Sequence, residues 1–313
     1  MTTNPVHGAL FGVAIGDALG VPAEFKERRV LQQDPVTDFI GFKSHRQPPG
    51  TFSDDSSLTF CLAESLCLGY DLSDAGKRFV RWYDENYWTA GNEVFDVGMT
   101  TSRAIDRLRR GCKPYLAGDF EEGANGNGSL MRIMPLLFYI RDFDLEKRYD
   151  IIKDVSSMTH GHIRSVIACF YYLEYALELL KGSDKYTAYA NTAKTVYEHI
   201  VKRQIARSEV EEFTALLKED ISKKEVESIP SWGYVMNTLQ ASMYCFLNTG
   251  NYKDATLMAV NLGNDADTSG AVTGGLAGLY YGFDSIPEKW RKGVKRSNDI
   301  NDLCDRLAKA MGL

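Results

Sequence analysis

The sequence predicts an all-α protein, on three observations. Apolar residues recur at helical spacing in several long stretches, and sustained alternation of β-branched residues is hard to find. Glycine and proline break the chain into loops between the periodic stretches.

The elements follow in order. Residues 57–68 place Leu58, Cys61, Leu62, Ser65 and Leu66 on one helical face. Residues 163–180 repeat the pattern with Val166, Ile167, Phe170, Leu173, Leu177 and Leu180, and residues 234–247 and 255–262 read the same way. Loops fall at 48–50, 123–128, Gly161 and 263–264, and the chemically interesting residues gather there. Residues 202–227 are rich in Glu and Lys, partly spaced for i,i+4 pairing, and read as a solvated helical face or a short excursion. There is neither a low-complexity linker nor a repeat of fixed period, so one domain over residues 1–313 is expected.

Composition narrows the function. The 313 residues are 44% hydrophobic and 25% charged, near the average for globular proteins, and long enough to bury a large core. A net charge of −6, from 36 basic and 42 acidic residues, argues against a nucleic-acid binder with a broad basic surface. A phosphate-bearing ligand would need local help from metals, helix N-termini or a few basic side chains. The six cysteines form no C-x-x-C pair and mostly lie in apolar helical patterns, as expected of reduced core residues in a cytoplasmic protein. Residues 1–9 lack a signal-peptide pattern, and no window reaches ~18 uninterrupted apolar residues, so no membrane segment is expected.

Two acidic clusters stand out, each just before a helical stretch. One is Ser53-Asp54-Asp55 and the other is Asp265-Ala266-Asp267-Thr268. Helix capping explains either one taken singly, because Ser, Thr and Asp satisfy free N–H groups and the positive dipole end. Paired carboxylates exceed what a cap requires, and their repulsion has to be offset. A hard divalent cation offsets it, because magnesium and manganese prefer carboxylate, hydroxyl and water oxygens. Two such loops could hold a metal pair ~3.5–4 Å apart. A calcium loop of the helix-loop-helix type is excluded, since no D-x-D-x-D-G series is present.

Three further segments add to this picture. Residues 270–278 are helical in context yet full of glycine, at a cost of ~1 kcal/mol each relative to alanine. Either a ligand or another backbone must come close there. The run Gly126-Asn127-Gly128-Ser129 leads into an apolar stretch and fits a backbone N–H nest for phosphate oxygens, or an ordinary turn. In Thr159-His160-Gly161-His162 no third soft ligand accompanies the His pair, so contact with a ligand ring or ribose is expected rather than zinc.

Taken in order, these segments resemble the ADP-ribosylglycohydrolase family over almost the whole chain. The resemblance begins at Gly8-Ala9-Leu10-Phe11-Gly12 and runs through Glu24-Phe25. It continues through Ser53-Asp54-Asp55, Asp96-Val97-Gly98, residues 126–132 and Thr159-His160-Gly161-His162, and closes with residues 263–278. It implies a compact, single-domain, orthogonal helical bundle with two Mg2+ or Mn2+ ions in a central cleft. It also implies that Ser53, Asp54, Asp55, Asp265, Asp267 and Thr268 are metal ligands. Gly126, Asn127, Gly128 and Ser129 would bind the diphosphate, and His160 would lie along the ADP-ribose. Glu24 and Asp96 would be the catalytic carboxylates beside the metals and the substrate ribose.

Two positions depart from the family pattern. Ser53 stands where the family often has Thr, which keeps a hydroxyl ligand. Asn264 stands where it often has Gly; Asn tolerates left-handed backbone, so the turn is expected to form with the amide pointing near the metals. The implied activity is metal-dependent cleavage of the glycosidic bond between ADP-ribose and a modified acceptor. The attacking water would be positioned or deprotonated by Glu24 or Asp96, through an oxocarbenium-like state. Asp96 tilts the acceptor toward arginine on a protein. Alternatives are hydrolysis of a small free ADP-ribosyl compound, or a non-catalytic binding or immunity protein on the same fold. Loss of metal ligands would mark a non-catalytic fate, and here all six positions carry oxygen donors. A monomer that binds neither nucleic acid nor membrane is expected.

Overall fold

Apolar runs closed by polar caps account for the architecture, which a computed structural model describes for residues 4–313. The reading of residues 1–9 therefore lies partly, at residues 1–3, outside the described residues. The first half contains α1 (Pro5–Gly20), α2 (Arg28–Gln33), α3 (Asp54–Leu66), α4 (Leu72–Glu85) and α5 (Met99–Arg109). After it come α6 (Leu136–Ile140), α7 (Leu145–Ser156), α8 (Ile163–Leu180), α9 (Lys185–Lys202), α10 (Arg207–Glu212) and α11 (Thr214–Leu217). The chain closes with α12 (Val235–Leu247), α13 (Tyr252–Val260), α14 (Ala266–Tyr281), α15 (Glu288–Gly293) and α16 (Ser297–Met311). Among the described residues the only β pairing is two isolated bridges, Asp119 with His160 and Gly126 with Tyr234. The all-α expectation is met.

Several starts are fixed by side chains that accept the free N–H groups of the first turn. Asp71 accepts from Ser73 and Asp74, Asp144 from Lys147, and Asn251 from Asp254. The charge-rich stretch 202–227 is a broken excursion rather than one helical face. It holds α10, α11 and two 3-10 turns, and its buried apolar anchors Val210, Phe213, Leu216 and Ile221 are too few for a continuous stripe.

The feature that positions everything else is the antiparallel crossing of α1 and α14. Both helices are buried nearly all round, and they meet glycine to glycine. A methyl group built on Gly8, Gly12 or Gly16 would lie 2.0–2.2 Å from the carbonyl oxygen of Gly278, Gly274 or Gly270. The same contacts hold from the other side, at 1.9–2.3 Å. Of the two readings of the glycine-rich stretch, close backbone packing is the one realised. Tyrosine hydroxyls lock the pair to its neighbours, Tyr252 donating to the Gly12 carbonyl and Tyr172 to that of Val272, both at 2.9 Å. Buried apolar residues from Val6 to Ala308 fall in one contiguous core, and all six cysteines are free. Among the described residues no helix is long and apolar enough to cross a membrane.

Candidate active site

Because α1 and α14 run antiparallel, the C-terminal end of α1 meets the N-terminal end of α14. A methyl on Gly20 would lie 2.3 Å from the Asp267 Cα. The start of α3 joins them through Asp17, a buried carboxylate on α1 that sequence reasoning left without a role. Asp17 accepts from the Ser53 N–H at 2.9 and 3.1 Å, from the Ser56 N–H at 3.0 Å and from the Ser56 hydroxyl at 2.5 Å. Its signal in the sequence was there: one carboxylate inside an otherwise apolar run.

The two acidic clusters therefore converge, and they differ as caps. Ser53 does cap α3, its hydroxyl accepting from the Asp55 N–H at 3.3 Å. Asp265, at the cap position of α14, makes no capping bond and instead accepts from the Asn127 amide at 2.5 Å. Thr268 donates to Asp55 at 3.4 Å, which ties the clusters directly. Ligand atoms of Asp17, Asp55 and Asp267 lie within 4.8 Å of one another, as do those of Glu24, His45, Asp96 and Asp267.

The electrostatics of this arrangement are unbalanced. Asp54, Asp55 and Asp267 are fully buried, and burial followed by mutual repulsion pushes their proton affinities well above the usual carboxylate range. The largest charge effects on Asp54 come from Asp96, Asp17, Glu24 and Asp265, all of them negative. Burial also raises Asp17, to about 7, and Asp265. One carboxylate oxygen each of Asp55 and Asp267, and the hydroxyl of Ser269, are buried without any hydrogen-bond partner among the described residues. Orphaned, oxygen-only donors around a shared centre fit a hard divalent cation, and no soft ligand is needed.

Glu24 sits in the turn after α1 and is buried, with its carboxylate against the Nε2 of His45. Burial pushes Glu24 up to about 8; the His45 bond opposes this and Asp96 adds to it. His45 is raised in turn, chiefly by that bond. Neither periodicity nor a motif marks His45, which lies in an irregular loop between Phe25 and Phe95, 5.6 and 5.2 Å from their rings. Asp96 is half-buried and holds left-handed backbone at φ 58°.

A cavity of about 430 Å³ opens over these groups and reaches the 126–128 loop and His160. Neither Gly126 nor Gly128 takes left-handed backbone; the glycines are there for space. A methyl on Gly128 would lie 2.7 Å from the His160 ring and 2.9 Å from the Thr101 hydroxyl. The Asn127 N–H is spent on the Gly233 carbonyl at 3.1 Å, whereas those of Gly128 and Ser129 meet no acceptor among the described residues. The Ser129 side chain turns into the core and accepts from Ser156 at 3.0 Å. Behind the loop lies Arg132, fully buried and with no carboxylate against it. It donates to the carbonyls of Gly128 and, at 3.2 Å, Val155, and lies 5.2 Å from the Phe79 ring.

His160 is buried and neutral. Burial, then the nearby Arg132 charge, lowers it to about 3, and its Nδ1 is paired with the Thr159 hydroxyl at 2.8 Å. His162 instead caps α8 by accepting from the Arg164 N–H. Asn264 takes the left-handed backbone expected of it, at φ 59°, but its amide donates to Ser231 at 2.9 Å rather than pointing at the clusters.

Comparison with known proteins places this geometry. The description "ADP-ribosylglycohydrolase" belongs to the family profile that matches residues 2–313. ADP-ribosylarginine hydrolase Tri1 of Serratia proteamaculans is 32% identical over 97% of this chain and 79% of its own. ADP-ribosyl-[dinitrogen reductase] glycohydrolase of Rhodospirillum rubrum is 27% identical over the full length of both. A solved structure titled "ADP-ribosylglycohydrolase-related protein complex" superposes with a TM-score of 0.82 at 30% identity, covering 98% of each chain.

Proposed function

The chain belongs to the ADP-ribosylglycohydrolase family, and from that premise we propose that it hydrolyses the bond joining ADP-ribose to a modified arginine side chain. The observation that carries this reading is the convergence of two acidic loops, with orphaned carboxylate oxygens, beside Glu24 and Asp96 in one cavity. Relatives named as ADP-ribosylarginine hydrolases favour arginine as the acceptor. The core shared from Val6 to Ala308 supports a single domain as the working unit.

Ser53, Asp54, Asp55, Asp265, Asp267 and Thr268 would hold two divalent cations, magnesium or manganese, with Asp17 fixing the Ser53 backbone behind them. Bound there, the cations would neutralise the carboxylates and act as Lewis acids toward substrate oxygens. Glu24, with one oxygen taken by His45, keeps the other to take a proton from the attacking water. Water then adds to the anomeric carbon through an oxocarbenium-like state, the bond to the guanidino nitrogen breaks, and that nitrogen leaves with the proton that Glu24 took from the water. Asp96 faces the substrate ribose, the free N–H groups of Gly128 and Ser129 carry phosphate charge, and neutral His160 lies along the nucleotide.

Incubation with peptides mono-ADP-ribosylated at arginine or at serine, with and without magnesium, tests the reading through released ADP-ribose. Release from the arginine peptide is expected, with loss in chelator, and Asp267→Ala should remove it by at least ~100-fold. Undiminished turnover in excess chelator, or full activity of Asp267→Ala, would sink the reading.

A further inference from the structure

The mouth of the cavity is built unlike its floor. Three large apolar side chains stand exposed on its rim: Phe25 at 70%, Met99 at 80% and Trp232 at 62%. They come from three separate elements, the turn after α1, the first residue of α5 and the loop before α12. Scattered exposed apolar residues are ordinary, but three around one opening are not.

Two of the three are fixed from behind. Phe25 holds left-handed backbone at φ 61°, an unfavourable conformation for a bulky residue, and its side chain is not repaid by burial in the core. The turn is imposed by a reciprocal backbone pair, Phe25 N–H to the Asn264 carbonyl and Asn264 N–H to the Lys26 carbonyl, both 2.7 Å. Trp232 is held by its two neighbours. The Ser231 carbonyl accepts from the Asp265 N–H at 2.9 Å, and a methyl on Gly233 would lie 3.1 Å from the Asp265 carboxylate. Met99 follows Asp96 by three residues. Phe25 and Trp232 thus stand beside the carboxylates Glu24 and Asp265.

The charge of the cavity selects the occupant. Its wall carries Glu24, Asp54, Asp96 and Asp265 and no Lys or Arg among the described residues. Apolar arms above carboxylates complement a planar cation on an aliphatic stem, which stacks flat on aromatic faces more readily than a hydrated ammonium does. Resting on the function proposed above, we infer that Phe25, Met99 and Trp232 form a clamp for the acceptor, seating the stem and guanidinium of the ADP-ribosylated arginine, with Glu24 and Asp96, the wall acids not given to the cations, to meet its charge.

The test uses the full chain with magnesium and compares Phe25→Gly, Phe25→Tyr and Trp232→Ala. Two readouts are taken: KM and kcat on an ADP-ribosylarginine peptide, and the dissociation constant of free ADP-ribose. Phe25→Gly relaxes the left-handed backbone, so its melting temperature should hold or rise and misfolding is not the explanation of any loss. KM is expected to rise about tenfold in Phe25→Gly and in Trp232→Ala, with Phe25→Tyr near wild type and free ADP-ribose affinity within about twofold. Unchanged KM in both variants overturns the clamp. So does an equal loss of free ADP-ribose affinity, which would move these rings to the nucleotide end. If the unmodified protein releases nothing from the arginine peptide, the hydrolase reading itself has failed.

Discussion

One helix, α3, shows two ways of keeping a carboxylate out of water. At its start, Asp54 and Asp55 are crowded by other acids, and Asp55 keeps one oxygen without a partner among the described residues. Nearer its end, Glu64 is met by Arg78 at 2.5 Å, the Trp88 indole at 3.0 Å, Arg306 at 3.3 Å and the Tyr87 hydroxyl. Burial raises Glu64, but the Tyr87 and Trp88 bonds and the two arginines outweigh it, so its folded value lies below the ordinary 4.5. Its contribution is therefore present above pH ~4.5 and is lost as pH falls through the lower folded value. Glu64→Gln should cost about 1.5–3 kcal/mol at pH 7 in denaturant unfolding, with the gap to wild type closing below pH ~4.5. A gap independent of pH would mean that the charge contributes nothing. The contrast also explains what could be read in advance. The carboxylate pairs were legible because adjacent acids are a local pattern, whereas the roles of Arg132, His45 and Asp17 were not, since their partners Val155, Glu24 and Ser56 are distant in sequence.

At the scale of elements, periodicity located α8 and α12 almost to the residue, because a wide apolar stripe has only one helical reading. Residues 57–68 and 255–262 caught α3 and α13 but missed their first turns, which are polar and defined by caps. The α1–α14 crossing was legible only as glycine that had to be explained, not as a partner. Its tightness has a measurable consequence. Gly12→Ala sets a methyl 2.2 Å from the Gly274 carbonyl, so the helices must part. A loss of ~1–3 kcal/mol or more is expected in chemical unfolding. Turnover on the arginine peptide should fall further than stability implies, because both acidic loops hang from this pair. Retention of both stability and turnover would show that the crossing is looser than described.

For the whole molecule, the unbalanced acids would couple folding to the cation binding proposed above. Asp17 at about 7 and Glu24 at about 8 both lie above ordinary carboxylate values, as buried acids do. Their stabilising contribution in the cation-free protein is complete below the ordinary values of 3.8 and 4.5, falls as pH rises above them, and is gone once pH has passed 7 to 8. Magnesium at ~100 times its dissociation constant should add about 2.7 kcal/mol. The rise in melting temperature should be larger at pH 8 than at pH 5.5, because protons compete for the same oxygens. Thermal unfolding at the two pH values, with and without magnesium, reads this directly, and an equal or absent shift would count against a cation site. The glycine-faced crossing also bears on how the molecule comes into being. α1 leaves the ribosome about 260 residues before α14 is complete, an interval of roughly 13–52 s at ordinary translation rates. Throughout it, a helix apolar on every side waits without the one surface shaped to receive it. Nascent chains stalled anywhere before α14 are therefore clients for chaperones, and they are inert as enzymes.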